Sequence, residues 1–201
     1  MTLLSIIIGK KSNSIENTIL LSASFYLNDY YYFQKKGIKE FCIFTARNTI
    51  FFSKHNQLEN INYKEFYITI LRKSKNLAVC IILNKQDYPI NVLNRLIHKI
   101  YIDYENQYSN KWQEIYSDFS LPLKELDEKI ILYQDPIKAD KFHQINHQLE
   151  ETKKIMYKNI DKILERGIKI DELVKKSKDL SLTSKKFYKQ SKKFNRCCII
   201  L

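Results

Sequence analysis

Glycine and proline are scarce, three of each in 201 residues, which excludes a loop-rich, collagenous or low-complexity chain. No run of 18 apolar residues occurs, so no transmembrane helix is expected. The apolar run Leu3–Ile8 is too short for a signal peptide and no basic residue precedes it, which points to a cytosolic chain. The four cysteines show neither a disulfide framework nor metal-ligand spacing: Cys42 and Cys80 sit in apolar runs and read as core, while Cys197 and Cys198 lie near the end. Catalytic constellations are missing as well. His55 and His98 have no carboxylate or serine arrangement around them in sequence. His143 and His147 lie four apart, but the residue between them is Gln144 rather than the glutamate a zinc protease uses as base. They read as a solvated pair on a helix surface. No enzyme, no metal and no cofactor is expected.

Acidic residues are outnumbered 22 to 34 by Lys and Arg, for a formal charge of +12. The excess is concentrated: Lys175, Lys176, Lys178, Lys185, Lys186, Lys189, Lys192, Lys193 and Arg196 face only Asp179 within residues 175–196. Such a cluster suits an anionic membrane face; nucleic acid is the weaker reading, because no nucleic-acid fold signature accompanies it. The last four residues, Cys198-Ile199-Ile200-Leu201, match the C-a-a-X prenylation signal, with leucine favouring geranylgeranyl over farnesyl. One lipid chain holds a protein to a membrane only reversibly. Cys197, as a palmitoyl or second prenyl site, and the lysines upstream are the candidate second signals.

Prenylation is also common in small GTPases, and Asn84-Lys85-Gln86-Asp87 looks like their guanine-reading N-K-x-D. A phosphate loop needs glycine five residues before Gly9-Lys10-Lys11-Ser12, and Leu4 stands there. With only Gly9, Gly37 and Gly167 in the chain, no such loop can be built.

The first two thirds read as a compact α+β unit. Leu3–Ile8 and Thr18–Phe25 predict a strand hairpin. Tyr30-Tyr31-Tyr32-Phe33 is expected to be a short packed connection. Ile38–Lys54 predicts a helix with Ile38, Phe41, Cys42, Thr45, Thr49 and Phe52 on a sheet-facing stripe. Ile43, Phe44, Ile50 and Phe51 flank its opposite side around Arg47, so the helix is either sandwiched or covers a second ligand. Strands follow around Tyr63–Arg72 and Leu77–Leu83, then a helix from Asp87-Tyr88-Pro89 to Tyr104 and a short one over Leu123–Tyr133. Asp135-Pro136 breaks the chain.

Beyond that break the period changes. Alternating steps of three and four connect Phe142, Ile145, Leu149, Thr152, Met156, Asn159, Ile163, Arg166, Ile170, Leu173, Ser177, Leu180, Ser184, Phe187, Ser191 and Phe194. Ten of these sixteen are apolar, a 3.5-residue repeat that predicts a coiled-coil strand awaiting partner helices. At ~1.5 Å per residue it would be roughly 80 Å long, too long to fold back on a small domain as one straight rod. Arg166 at a seam position costs several kcal/mol unless the partners supply acceptors at its level, and one polar layer of that kind fixes register and partner choice. With six seam positions not apolar, the isolated segment should be poorly helical and order on binding.

Ile163-Leu164-Glu165-Arg166-Gly167 and the layer spacing around it resemble the R-SNARE motif. Asp87-Tyr88-Pro89, Tyr133-Gln134-Asp135-Pro136 and the β-β-α-β-β(-β)-α-α order resemble the longin domain. With the double-cysteine tail, the whole chain resembles the lipid-anchored longin-domain R-SNAREs, homologues of synaptobrevin. The resemblance implies a profilin-like longin domain over 1–135, a five-stranded antiparallel sheet flanked by helices. It implies an R-SNARE coiled coil over 136–196, and a lipidated tail over 197–201. It implies that Arg166 is the ionic layer meeting one glutamine from each of three Q-SNARE helices, that Phe44 belongs to a groove on the longin domain, and that the SNARE disassembly machinery is a partner. Membrane fusion at the cytosolic face of Golgi, vesicle or endosomal membranes follows from it. The alternative is a non-fusogenic longin protein that sorts cargo or inhibits fusion.

Overall fold

Along Leu77–Leu83 the side chains alternate faithfully between two cores. Leu77, Val79, Ile81 and Leu83 enter one, Ala78, Cys80 and Ile82 the other, and all seven are buried. A strand apolar on both faces needs cover on both, and the rest of the domain is arranged to provide it. The computed structural model describes residues 2–63, 66–73, 76–84, 88–143, 155–159 and 170–185. The strands are β1 (Leu3–Lys10), β2 (Ile19–Phe25), β3 (Gln57–Tyr63), β4 (Phe66–Arg72), β5 (Leu77–Leu83) and β6 (Ile155–Asn159). The helices are α1 (Tyr32–Phe52), α2 (Ile90–Tyr108), α3 (Leu126–Leu132), α4 (Pro136–His143) and α5 (Ile170–Lys176).

The sheet order is β2-β1-β5-β4-β3-β6. The first five strands are antiparallel, with β5 at their centre, which is the expected longin-like α+β architecture. α2 and α3 cover one face, packing Val92, Leu93, Leu96, Ile97, Ile100, Tyr104, Leu126 and Ile130 on Leu3, Ile6 and Ile8 of β1 and the odd residues of β5. α1 covers the other, and there Thr49 Oγ1 lies 3.6 Å from Cys80 Sγ. Burial pushes the Cys42 and Cys80 thiols up to about 12, which leaves them inert packing groups.

Two of the sequence signatures meet in space. The Tyr88 hydroxyl donates to the Tyr133 carbonyl at 2.9 Å, tying the start of α2 to the end of α3. Next to it the Gln134 amide pairs with β1 as a strand residue would: Leu3 N–H donates to its Oε1 at 3.0 Å and its Nε2 donates to the Leu3 carbonyl at 2.8 Å. Asp135 then starts α4, its Oδ1 accepting from the amides of Ile137 and Lys138, each at 3.1 Å. Pro136 at the first helical position suits this, since its missing N–H is one that has no helical partner.

Both edges of the five-stranded antiparallel part are covered. On β2, Phe119 and Leu121 donate to the Leu20 and Leu21 carbonyls at 2.6 and 3.2 Å, and Leu123 N–H donates to Ser22 Oγ at 3.0 Å. On β3, β6 adds in parallel, from Leu58 opposite Ile155 to Asn62 opposite Asn159.

Several expectations are corrected. α1 starts six residues before Ile38, at Tyr32, with the Gln34 side chain accepting from the Tyr31 N–H at 3.3 Å. Of the Tyr30–Phe33 block only Tyr30 packs, half-buried against the core under α1; Tyr31, Tyr32 and Phe33 are exposed. β3 is a separate strand that hydrophobicity alone did not reveal, because its buried Glu59 and Asn60 are polar. Glu59 Oε1 accepts from Lys54 N–H at 3.1 Å and Asn60 Oδ1 from Thr69 Oγ1 at 2.9 Å. The seam from Phe142 to Phe194 is not one helix in this chain; its described parts are the end of α4, a strand and α5. A 3.5 repeat specifies a helix only when neighbours fill the other side of the seam, and here the protein's own sheet and helix are what these parts meet.

β1 and β2 come close at Gly9, where a Cβ would lie 2.7 Å from Ile50 Cδ1 and 2.8 Å from the Ile19 carbonyl oxygen. Gly9→Ala should lower unfolding stability by roughly 1–3 kcal/mol, because the carbonyl cannot swing aside as a side chain can. Urea denaturation measures this; an unchanged midpoint would mean the hairpin opens to admit the methyl group.

Candidate interaction surface

Gly37, Glu40, Phe44 and Arg47 follow one another at steps of three, four and three along α1, one stripe of the helix. The later segment 170–185 lies along this stripe. At one end Ser184 Oγ approaches Gly37, 3.7 Å from where a Cβ on that residue would sit. At Glu40 the carboxylate accepts the Ser181 N–H at 2.9 Å. Phe44 is buried in an apolar cluster that also holds Leu173, Val174 and Leu180. At the far end is Arg47.

Arg47 is 8% exposed and five-fold engaged. Its Nε donates to Asp179 Oδ2 at 2.8 Å and its Nη2 to Asp179 Oδ1 at 3.0 Å, a bidentate pair. Nη2 also donates to Asp118 Oδ2 at 2.6 Å, Nη1 reaches Asp118 Oδ1 at 3.4 Å, and Nη1 donates to the Thr18 carbonyl. Asp118 in turn accepts the Leu20 N–H at 2.9 Å. Burial alone would lower the guanidinium pKa, but hydrogen bonds and charge from Asp179 and Asp118 outweigh it and raise it. One cation thus joins the turn before β2, the connection after α2 and the segment after α5.

Segment 170–185 is organised for this contact. Asp171 and Glu172 stand in the first turn of α5 and Lys175 and Lys176 in its last, as the helix dipole favours. Past the helix, Asp179 N–H donates to Ser177 Oγ at 3.1 Å, turning the chain so that the carboxylate meets Arg47. A further turn at 182–185 closes with Lys185 N–H donating to the Ser181 carbonyl at 2.9 Å.

The predicted groove residues divide. Phe44 and Ile50 share one buried cluster with Leu173, Val174 and Leu180; Ile50 is fully buried in it and its Cδ1 approaches Gly9 of β1, which places it on the sheet side. Ile43 packs half-buried at the edge of the same cluster, and Phe51 stacks edge-on against Phe52 with Lys11 Nζ above its ring at 5.4 Å. Of the predicted seam, Leu173 and Leu180 are buried here. Phe142, Met156 and Ile170 have only their backbones described, in α4, β6 and α5. Ile145, Leu149, Ile163, Arg166, Phe187, Phe194, Cys197 and Cys198 lie outside the described residues. Sequence reading missed Glu40, Asp118 and Asp179 as partners. Asp179 carried a signal, since it is the one acid within a long basic run.

A protein-family model, Synaptobrevin, matches residues 141–200. The chain is similar over its full length to the VAMP-like protein YKT61 of Arabidopsis thaliana, at 32% identity over 201 residues covering 100% of both chains. It is 32% identical over 196 residues to the synaptobrevin homolog YKT6 of Saccharomyces cerevisiae, covering 96% of this chain and 98% of that one. The synaptobrevin homolog ykt6 of Schizosaccharomyces pombe is 32% identical over 182 residues, 90% of this chain and 91% of its own. Among the described residues no helix is long and apolar enough to cross a membrane.

Asp179→Ala removes the bidentate pair while leaving Arg47 its Asp118 and Thr18 partners. Amide exchange at Ser181 should quicken by roughly tenfold, the scale of one charge-assisted interaction, with β1 and β5 amides unchanged. Uniform acceleration across the sheet would mean that Asp179 supports the whole fold.

Glu40 adds a pH dependence. Burial raises its pKa, but hydrogen bonds from Ser181 and Ser184 and the Lys36 charge outweigh that and leave it lowered. A depressed carboxyl contributes stability above its free pKa and loses it as pH falls through the docked value. The protection factor at Ser181 should therefore drop selectively in acid below the ordinary carboxylate range. In Glu40→Gln that selective loss should vanish; its persistence would place the titrating group elsewhere.

Proposed function

This chain belongs to the YKT6 family of synaptobrevin homologues, R-SNAREs of vesicle fusion and not enzymes, and from that membership we propose how its own residues carry the work. SNARE membership implies Q-SNARE partners. In this reading 136–196 is the R helix of a four-helix bundle with three Q-SNARE helices, with Arg166 as the ionic layer. Phe142, Ile145, Leu149, Met156, Ile163, Ile170, Leu173, Leu180, Phe187 and Phe194 form its apolar layers. The SNARE disassembly machinery recovers the chain afterwards. Residues 1–135 act as the longin regulator, and 197–201 as the anchor, with a prenyl group on Cys198 and a palmitoyl or second prenyl group on Cys197. The cytosolic face of Golgi, vesicle and endosomal membranes is the place of action.

The domain holds its own SNARE segment back. The observation that supports this is the burial of Leu173 and Leu180, two seam residues, in the apolar cluster that also holds Phe44, with Asp179 held by Arg47. A side chain buried there is not available to a partner helix. Binding partners and the longin domain therefore compete for the same residues, and release of the segment precedes bundle formation.

Phe44→Glu tests this, since a carboxylate in the buried site costs several kcal/mol or is expelled with the segment. The domain should stay folded by its β-sheet spectrum while 170–185 loses exchange protection and the radius of gyration rises. Binding to Q-SNARE helices should accelerate, and the fraction on membranes should increase unless Cys198→Ser removes the anchor. A folded variant as compact as the parent, with the same binding rate, rules out control by the longin domain. Liposome fusion with the partner helices separates the remaining readings: complex formation without lipid mixing would assign the chain to the inhibitory class.

A further inference from the structure

Three consecutive aromatic side chains at the start of α1 face water: Tyr31 is 73% exposed, Tyr32 93% and Phe33 78%. Only Tyr31 and Phe33 touch one another among these rings, stacked at 5.8 Å between centroids and 4° between planes. Among the other described residues the exposed large aromatic rings are Tyr116 and Phe119, and they stand singly in sequence. Phe41 stacks on Tyr63 and meets Phe66 at a tilt, Tyr104 and Tyr108 form a tilted pair, and the exposed Tyr116 lies under the Lys10 ammonium. A cluster of exposed rings on a folded surface marks an interaction site. Its charge says what kind.

From Tyr30 to Lys39 the chain carries Lys35, Lys36 and Lys39 and no acid. Lys36 and Lys39 are exposed, and Lys39 Nζ sits 5.0 Å over the Phe25 ring at the edge of the patch. The acids on either side are both engaged: the exposed Asp29 accepts from Thr2 Oγ1 at 2.7 Å, and Glu40 accepts the Ser181 N–H. Exposed Tyr and Phe beside lysines suit the membrane–water boundary: rings enter the headgroup region, and ammonium groups meet anionic lipid. The patch also lies where Ser184 approaches Gly37, one turn along α1 from Phe33. Beyond this point the chain carries Lys186, Lys189, Lys192, Lys193 and Arg196.

We propose that Tyr31, Tyr32 and Phe33, flanked by Lys35, Lys36 and Lys39, form a bilayer-contacting surface that seats the longin domain on anionic membrane. This surface goes beyond SNARE pairing and requires neither the lipid anchor nor release of the SNARE segment, since it is exposed with the segment docked. It gives the domain an orientation on the bilayer, with the start of α1 down.

Full-length protein made without prenylation is floated with phosphatidylcholine vesicles and with vesicles containing about one-third phosphatidylserine. The protein should float with the anionic vesicles, and Tyr31→Ser/Tyr32→Ser/Phe33→Ser should partition roughly tenfold less with an unchanged circular dichroism spectrum. In Phe33→Trp the new indole should shift to shorter emission wavelengths on anionic vesicles, against the constant signal of the fully buried Trp112. Failure of the parent to float, equal flotation of the triple variant, or an unshifted indole each overturns the proposal; the second would leave binding to the lysines alone. So would a parent that dimerises in sedimentation while the triple variant stays monomeric, which would make the patch a contact between copies. Because no lipid is attached to the protein, these outcomes leave the anchoring reading untouched.

Discussion

A guanidinium cannot discard its charge when buried, and Arg47 is placed in the middle of a helix with sheet beneath it and chain above. Its five donors have to find acceptors. They find the Thr18 carbonyl, Asp118 and Asp179, from three stretches far apart in sequence. Remove any one and a desolvated charge is left short of partners, which is more costly than never having built the site. The connection after α2 and the segment after α5 thus share an anchor, and so does the turn into β2. Apolar burial supplies attraction without direction; the cation supplies register, because only one placement of Asp179 satisfies both Nε and Nη2.

The attachment of 170–185 is sparse compared with the sheet. Leu173, Val174 and Leu180 bury in the cluster, and Asp179 and the Ser181 amide add polar contacts, while β5 is buried along its whole length. A few side chains must offset the ordering of a whole segment. That balance places the segment at the low-stability end of the structure, where elements that change conformation are drawn from. The same residues satisfy a heptad seam and a folded-back arrangement because both ask for apolar side chains at a few positions and differ in what stands opposite.

Much of this was legible in the residues. β5 and β1 are continuous apolar runs, α2 has one apolar face, and the pre-proline break at Asp135 marks the start of α4. The place of Arg47 amid apolar residues flagged α1 as two-sided. What failed to read has particular causes. β3 hid behind Glu59 and Asn60, polar residues buried with specific partners. Ile50 was set on the outer side by helical spacing, yet a glycine in β1 draws it inward. Tyr30–Phe33 looked like interior because composition carries no sign for inside or outside. The partition of the seam into strand and helix depends on surfaces supplied by distant residues, which a periodicity count does not contain.

β6 has a role separate from anything its side chains do. With it in place, β3 offers no free ladder, just as residues 119–123 occupy the far side of β2. Should β6 leave to join a helical bundle, the outward amides and carbonyls of β3 face water as an unpaired, partly polar edge, the kind of template on which other chains add strands. While β6 is in place it pairs that side of β3 and is itself the last strand of the sheet. How much of the β3 backbone is satisfied thus depends on the register of five residue pairs between β3 and β6.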